Sequence, residues 1–186
     1  MGNTTSNIEK IAPFDEESGE LHVIIDTPKG SRNKYKYDEK LQIFKLSGVL
    51  SVGLFFPFDF GDIPNTLGED GDPIDVLVLM DEPAFVGCLI PSRLIGVIEA
   101  EQTEDGKTMR NDRLIAVASN SLTHKDIKSI SDLNAVLVDE IEHFFVSYNK
   151  AKGKEFKPIG RFQAIKAKQL VEKGIEAAKK KKTEKK

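Results

Sequence analysis

The sequence has a single cysteine, Cys88, in 186 residues. No intrachain disulfide framework can be built from it, and a zinc site made of several thiolates is excluded with it. Long apolar runs are also missing. The longest uncharged stretch near the middle, Leu46 to Phe58, is 13 residues long and contains Pro57, whereas a membrane-spanning helix needs about 20. The amino-terminus has no basic-then-apolar signal pattern, so a cytoplasmic protein is expected rather than a secreted one. A third deficit is local. From Leu46 to Ser92 there is no lysine, arginine or histidine.

That base-free run holds eight carboxylates: Asp59, Asp62, Glu69, Asp70, Asp72, Asp75, Asp81 and Glu82. Acids without a local base need a compensating charge, or their repulsion weakens the fold. The formal net charge of −3 hides this imbalance. Residues 179–186 hold six lysines and one glutamate, and without them 21 basic and 29 acidic side chains remain, a net of −8. An acidic body argues against nucleic acid as a partner, which calls for a basic face. Any oligonucleotide retention is expected to come from the lysine tail and to vanish with it.

The length suits one domain and a core that stands without staples. Three segments are expected: a polar leader at 1–20, one domain at 21–178 and a lysine-rich tail at 179–186. Short β-rich runs are read at His22–Asp26, Asn33–Asp38, Val49–Phe56, Ile74–Met80, Leu94–Ala100 and Leu114–Ala118, with Gly and Pro between them. Many short strands separated by turn residues predict a closed or partly closed barrel. The last third changes period. Leu133, Leu137, Ile141, Phe144, Phe145 and Tyr148 form one helical stripe, with Ser131 near its start and Gly153 as its stop. A second helix is expected from Ala164 to Ala178. The class is therefore α+β, a barrel followed by helices packed on it.

The chemistry concentrates in Glu69-Asp70-Gly71-Asp72-Pro73-Ile74-Asp75. Clustered carboxylates suit hard cations such as magnesium or manganese. Gly71 permits a tight turn, and Pro73 fixes φ ahead of the next strand. A plain acidic turn is the competing reading, since Asp and Gly favour turns. It does not explain Asp75, a charge that opens an apolar strand and is costly there unless it meets a cation or donors. A calcium loop of the EF-hand type wants glycine sixth and helices on both sides. Asp75 stands sixth here and a strand follows, so that reading is set aside.

Asp70-Gly71-Asp72-Pro73-Ile74-Asp75 followed by Val76-Leu77-Val78 resembles the signature of soluble family I inorganic pyrophosphatases. The resemblance continues in order through Ile25-Asp26-Thr27-Pro28, Lys34-Tyr35, Phe56-Pro57-Phe58-Asp59-Phe60-Gly61, Arg93 to Val97, Asp112 to Val117, and His143-Phe144-Phe145 with Tyr148. It covers about Leu21 to Arg161. It implies an OB-like five-stranded barrel with two helices packed on it, and magnesium-dependent hydrolysis of inorganic pyrophosphate to two phosphates. Manganese is a possible substitute metal. By this resemblance Asp70, Asp72 and Asp75 bind metal, with Asp112 and Glu101 as the second acidic group. Asp72 is the catalytic candidate that orients or deprotonates the attacking water. Lys34, Arg113, Tyr148 and Lys150 are the phosphate-binding candidates, and Asp26 takes the place of an early glutamate. A homo-oligomer is implied as well.

Such chemistry needs an acidic floor and a basic rim. Metal ions held by carboxylates neutralise phosphate oxygens and lower the pKa of a bound water. Lysine and arginine stabilise charge on the leaving phosphate. The chain departs from the family pattern at the rim. Lys36 stands where glutamate is common, Gly48 where arginine is expected and Phe60 where tyrosine is expected. Asn149 replaces a lysine, and Lys36 or Lys45 is a candidate substitute for the arginine missing at Gly48. In the second acidic group Asp112 abuts Arg113, so Asn111 falls at a metal position and Gln102 lies near the partner acid. These departures motivate an alternative: a non-catalytic relative that binds metal and phosphate or a protein partner. His22, His124 and His143 show no metal-like spacing. Residues 1–6 fit the short N-myristoylation pattern, but no membrane partner is expected.

Overall fold

The computed structural model describes residues 7–184. The myristoylation-like residues 1–6 and the last two lysines lie outside the described residues. After a 3₁₀ turn at Asn7–Lys10 come β1 (Leu21–Thr27), β2 (Asn33–Asp38), β3 (Ile43–Val49), β4 (Asp59–Asp62), β5 (Asp75–Leu79) and β6 (Leu89–Glu104). There follow β7 (Lys107–Arg110), β8 (Arg113–Ala118), α1 (Ala135–Lys150), β9 (Glu155–Gln163) and α2 (Ala164–Glu184).

Five strands close on themselves. β1 pairs β4, β4 pairs β5, β5 pairs β8 in parallel, β8 pairs β6, and β6 returns to β1. The architecture is α+β and OB-like, with β7 and β9 added along the far half of the 16-residue β6. β2 and β3 form a separate hairpin, tied to the ring where Tyr35 N donates to Thr27 Oγ1 at 3.3 Å.

The apolar runs are continuous because both faces of the central strands are covered. Leu77 and Leu79 of β5 with Ile115 and Val117 of β8 join one core cluster, which α1 covers through Val138, Ile141, Phe144 and Phe145. Their neighbours Val76, Val78, Leu114 and Ala116 join another, covered by Ala167 and Val171 of α2. Asn134 caps α1, its Oδ1 accepting from Val136 N at 2.9 Å. Ser129, not Ser131, caps the short 3₁₀ turn before it.

Four expectations change. Val49–Phe56 is not a strand; the strand is Ile43–Val49, and the chain then turns through Gly53 at φ 88°. Leu50 N and Phe56 N donate to Arg32 O and Ser31 O, so this segment's polar groups are used on a loop instead of a ladder. A strand, β9, lies between the helices, so the helices do not simply follow the barrel. Its Pro158 sits at a register shift opposite Ala100, where a missing N–H is tolerated. The last helix does not stop at Ala178 but continues through Lys179–Lys182 to Glu184. The expected leader at 1–20 is not separate from the domain, because Phe14 bridges to Leu21 and packs on the core.

Candidate active site

The aspartate turn is fixed by its own backbone. Ile63 N donates to Ile74 O at 3.0 Å, and Gly68 N to Asp72 O at 2.7 Å. Asp72 N donates to Asp70 Oδ1 at 3.1 Å. Gly71 has φ 88°, a left-handed conformation that suits glycine. α2 supports the turn from behind: Leu67 N donates to Gly174 O at 3.0 Å, and a Cβ on Gly174 would run into Ile74. Asp75 begins β5 directly across from Asp62, the last residue of β4.

These pieces form one wall of a cleft of about 320 Å³. Asp26, Asp62, Asp70, Asp72 and Asp75 line it, together with Lys34, Lys36 and Arg113, Tyr148 and Asn149, and Lys152 and Lys154. Gln102, Glu104, Met109 and Asn111 complete the side formed by β6 to β8. An aromatic cluster lies beneath. Phe56, Phe60, Phe144, Phe145, Tyr148 and Phe156 meet with ring centroids 5.1 to 6.0 Å apart. Two cations rest on these rings: Lys34 Nζ lies 4.4 Å from the Phe60 centroid, and the Arg113 guanidinium 5.0 Å from Phe145 and 5.3 Å from Phe156. Phe60 lacks a hydroxyl but supplies the face that a cation favours.

The acids are not bare. Lys34 Nζ is 3.4 Å from Asp26 Oδ2, Lys36 Nζ is 2.7 Å from Asp72 Oδ1, and Arg113 NH1 is 2.5 Å from Asp75 Oδ2. Burial pushes the Asp26 carboxyl up to about 6 despite Lys34, and nearby Asp75 adds to the rise. Burial raises Asp62 well above the carboxylate range, and Asp26 and Asp75 push the same way. Burial also raises Asp70. For Lys34 burial alone would lower the pKa, but Asp26 and Asp75 outweigh it and hold the ammonium charged. The same holds for Lys36, where the hydrogen bond to Asp72 wins. Even with these lysines in place, the floor therefore favours a further positive charge.

Does the donor set fit a divalent metal? Five carboxylates face one cleft, and Asp26 Oδ1 is buried with no hydrogen-bond partner. Hard oxygen donors of this kind fit magnesium or manganese. Among the described residues no three acids yet converge as a ligand group, and Lys36 and Arg113 hold two of them.

Of the residues expected at the site, Asp26, Lys34, Asp70, Asp72, Asp75, Arg113 and Tyr148 share this cleft. Three do not. Glu101 alternates with Gln102 along β6, and Gln102 is the cleft-lining residue of the pair. Asp112 turns away: its Oδ1 accepts from Ala100 N at 2.9 Å and from Arg110 NH2 at 2.8 Å. Lys150 ends α1 exposed to solvent. At the metal position of the second acidic group, Asn111 Nδ2 instead donates to Gln102 Oε1 at 3.0 Å, and Asn111 Oδ1 accepts from Arg113. Asn149 is buried and donates to Phe145 O at 2.9 Å, as a helix residue and not a rim cation. The basic rim missed in the sequence is Lys152 and Lys154. Lys152 Nζ donates to Tyr148 Oη at 2.5 Å, and Lys154 pairs with Glu104 at 2.7 Å. Their only sequence signal is proximity to the end of the helical stripe. Of the two proposed substitutes for the arginine missing at Gly48, Lys36 lines the cleft, whereas Lys45 pairs with Asp38 at 2.5 Å.

A carboxylate floor ringed by ammonium and guanidinium groups, on an OB-like ring, has the charge pattern that suits a polyanion together with cations. The comparisons with known proteins agree. The family model for inorganic pyrophosphatase matches residues 23–179. An inorganic pyrophosphatase of Synechocystis is 38% identical over 148 residues, 80% of this chain and 85% of that one. One from Nostoc is 36% identical over 167 residues, 90% of this chain and 96% of that one. The crystal structure of inorganic pyrophosphatase from Thermus thermophilus superposes with a TM-score of 0.83 at 34% identity, covering 93% of this chain and 99% of that one. The chain belongs to the inorganic pyrophosphatase family, whose members are metal-dependent hydrolases. Among the described residues no helix is long and apolar enough to cross a membrane.

Proposed function

We propose that this protein hydrolyses inorganic pyrophosphate to two phosphates with magnesium, through residues of the 21–178 unit. The observation that carries this reading is the shared cleft: five aspartates from β1, β4 and the aspartate turn face lysines and an arginine from β2, β8 and the loop after α1. Asp70, Asp72 and Asp75 would hold the metal, with Asp26 and Asp62 adding negative charge behind them. When bound, the metal neutralises phosphate oxygens and activates water. Asp72, on an exposed turn, orients the attacking water and accepts its proton. Lys34 and Lys152 with Tyr148 Oη donate to phosphate oxygens, and charge-assisted donors of this kind stabilise the leaving phosphate. The aromatic floor excludes water beneath Lys34 and strengthens its field.

One observation favours a second reading, a non-catalytic relative that binds phosphate. Asn111 and Gln102 pair amide to amide where the resemblance places acids, and Asp72 and Asp75 are already partnered by Lys36 and Arg113. Phosphate release from pyrophosphate in magnesium and in manganese, with ATP as control substrate, separates the two. Release above the Asp72→Asn variant supports hydrolysis; pyrophosphate binding without release supports the second reading.

A further inference from the structure

The two ion pairs inside the aspartate cleft differ in kind. Arg113 is fixed. Its side chain is 5% exposed, it is stacked over two phenyl rings, and it donates to Asn111 and to Asp112 O as well as to Asp75. Lys36 is not. Its side chain is 47% exposed, and that of its partner Asp72 is 58% exposed. The contact joins an exposed β2 lysine to a turn 36 residues further on, and an exposed pair of this kind is weak and easily exchanged. Lys36 also differs from Lys34, two residues earlier on the same strand face. Lys34 is anchored over Phe60 and beside Asp26, whereas Lys36 reaches Asp72 by the free end of its stem.

We infer that Lys36 is a tethered cation that competes with divalent metal for Asp72 and thereby sets how tightly the cleft takes metal. The inference rests on the assignment of Asp72 as a metal-holding residue under the proposed function. An ammonium at 2.7 Å from Asp72 Oδ1 occupies the place a metal ion would need at that oxygen. A metal arriving there displaces Lys36 or suffers its repulsion, so metal affinity is lower than the acids alone would give. Once displaced, Lys36 is a free donor at the cleft mouth within reach of a bound phosphate. Arg113 is held too firmly to make this exchange and engages Asp75 through Oδ2 alone, so Asp72 is the exchangeable position.

The test uses the full chain and needs no turnover. Mn²⁺ binding is measured by calorimetry, without substrate and at fixed ionic strength, for wild type, Lys36→Met and Lys36→Arg. Removing a unit charge beside the metal position is expected to tighten Mn²⁺ binding roughly tenfold or more. Lys36→Arg, which keeps the charge, stays near wild type. Lys45→Met breaks another ion pair of the same hairpin, with Asp38 at 2.5 Å, and leaves Mn²⁺ affinity unchanged. The inference is overturned if Lys36→Met binds Mn²⁺ no tighter than wild type, if neither protein binds it, or if Lys45→Met tightens binding equally. Because the readout is metal affinity, tighter binding by Lys36→Met in a protein that releases no phosphate sinks the hydrolytic reading and leaves this one standing.

Discussion

The Arg113–Asp75 pair makes the most decisive test of how the cleft is held together. Replacing Arg113 by Met keeps a long apolar stem and removes the guanidinium. It leaves Asp75 facing Asp62 across the β4–β5 ladder with no cation at 2.5 Å. Breaking a buried ion pair by removing one partner costs about 3–5 kcal/mol. Asp75 keeps 21% of its side-chain surface, and water relieves part of that cost, so about 2–3 kcal/mol is expected. Asp75→Asn added to Arg113→Met removes the orphaned charge, and the double variant is expected to regain more than half of the loss. Urea unfolding at one protein concentration and in EDTA measures both effects. Circular dichroism is the probe, since the chain has no tryptophan. With a slope of about 2–3 kcal/mol per molar urea, the single variant's midpoint falls by about 1 M. A single variant within about 0.5 kcal/mol of wild type, or a double variant as unstable as the single, refutes the idea that Arg113 compensates a charge that cannot otherwise be tolerated.

Three further outcomes follow from the same geometry. Asp72→Asn should lower phosphate release by about 10²–10⁴-fold, the span of general acid–base contributions. It should move stability by less than about 1 kcal/mol because its ion pair is exposed; equal loss of fold and activity would contradict this. Gly71→Ala meets no steric obstacle but forces φ 88° on a Cβ, so a loss of about 1–2 kcal/mol in urea unfolding is expected, and no loss would argue against a left-handed turn there. Asp81 accepts from Leu122 N at 2.8 Å and Thr123 N at 2.9 Å and also from the Thr123 hydroxyl, and these bonds hold its carboxyl far below the usual value of 3.8. Its stabilising effect is present above pH 3.8 and is lost as pH falls toward the folded-state pKa. Asp81→Ala should therefore be less stable near neutrality and lose less between pH 4 and 2 than wild type; identical acid limbs by thermal melting would refute it.

What was legible in the sequence was whatever local period and local chemistry determine. Alternation and apolar runs found β1, β2, β5, β6 and β8, and the three-and-four stripe found α1. The turn Asp70–Asp75 was legible because Gly71, Pro73 and three acids all act within six residues. What escaped depended on partners far along the chain. β9 carries Pro158 and Gly160, poor strand formers, and forms because β6 is long enough to pair with it and because Arg161 clamps it to Asp139 and Glu142 of α1. The direction of a side chain escaped too. Asp112 and Asn111 are adjacent, yet only Asn111 lines the cleft, because Asp112 is held by Ala100 N and Arg110. Order in the chain cannot resolve that choice; the register of β6 against β7 and β8 does.

The eight acids of the base-free run show where the missing charge is found. Metal is the compensating charge that the family resemblance implies for Asp70, Asp72 and Asp75. Protein cations from outside the run supply much of it: Arg113 for Asp75, Lys36 for Asp72, and Lys173 of α2 for Glu69 at 3.2 Å. Asp81 is used as a backbone cap for the 121–124 loop, and Asp59, fully buried, accepts from Ala84 N at 2.9 Å. Among the described residues Asp62 has no cation and accepts no hydrogen bond, and Asp70 accepts only from Asp72 N within its own turn; burial raises both, Asp62 the more, with Asp26 and Asp75 adding to it. Among the described residues Asp62 and Asp70 are thus the cleft acids of the run left without a protein cation, and they add to the negative charge around Asp72 and Asp75.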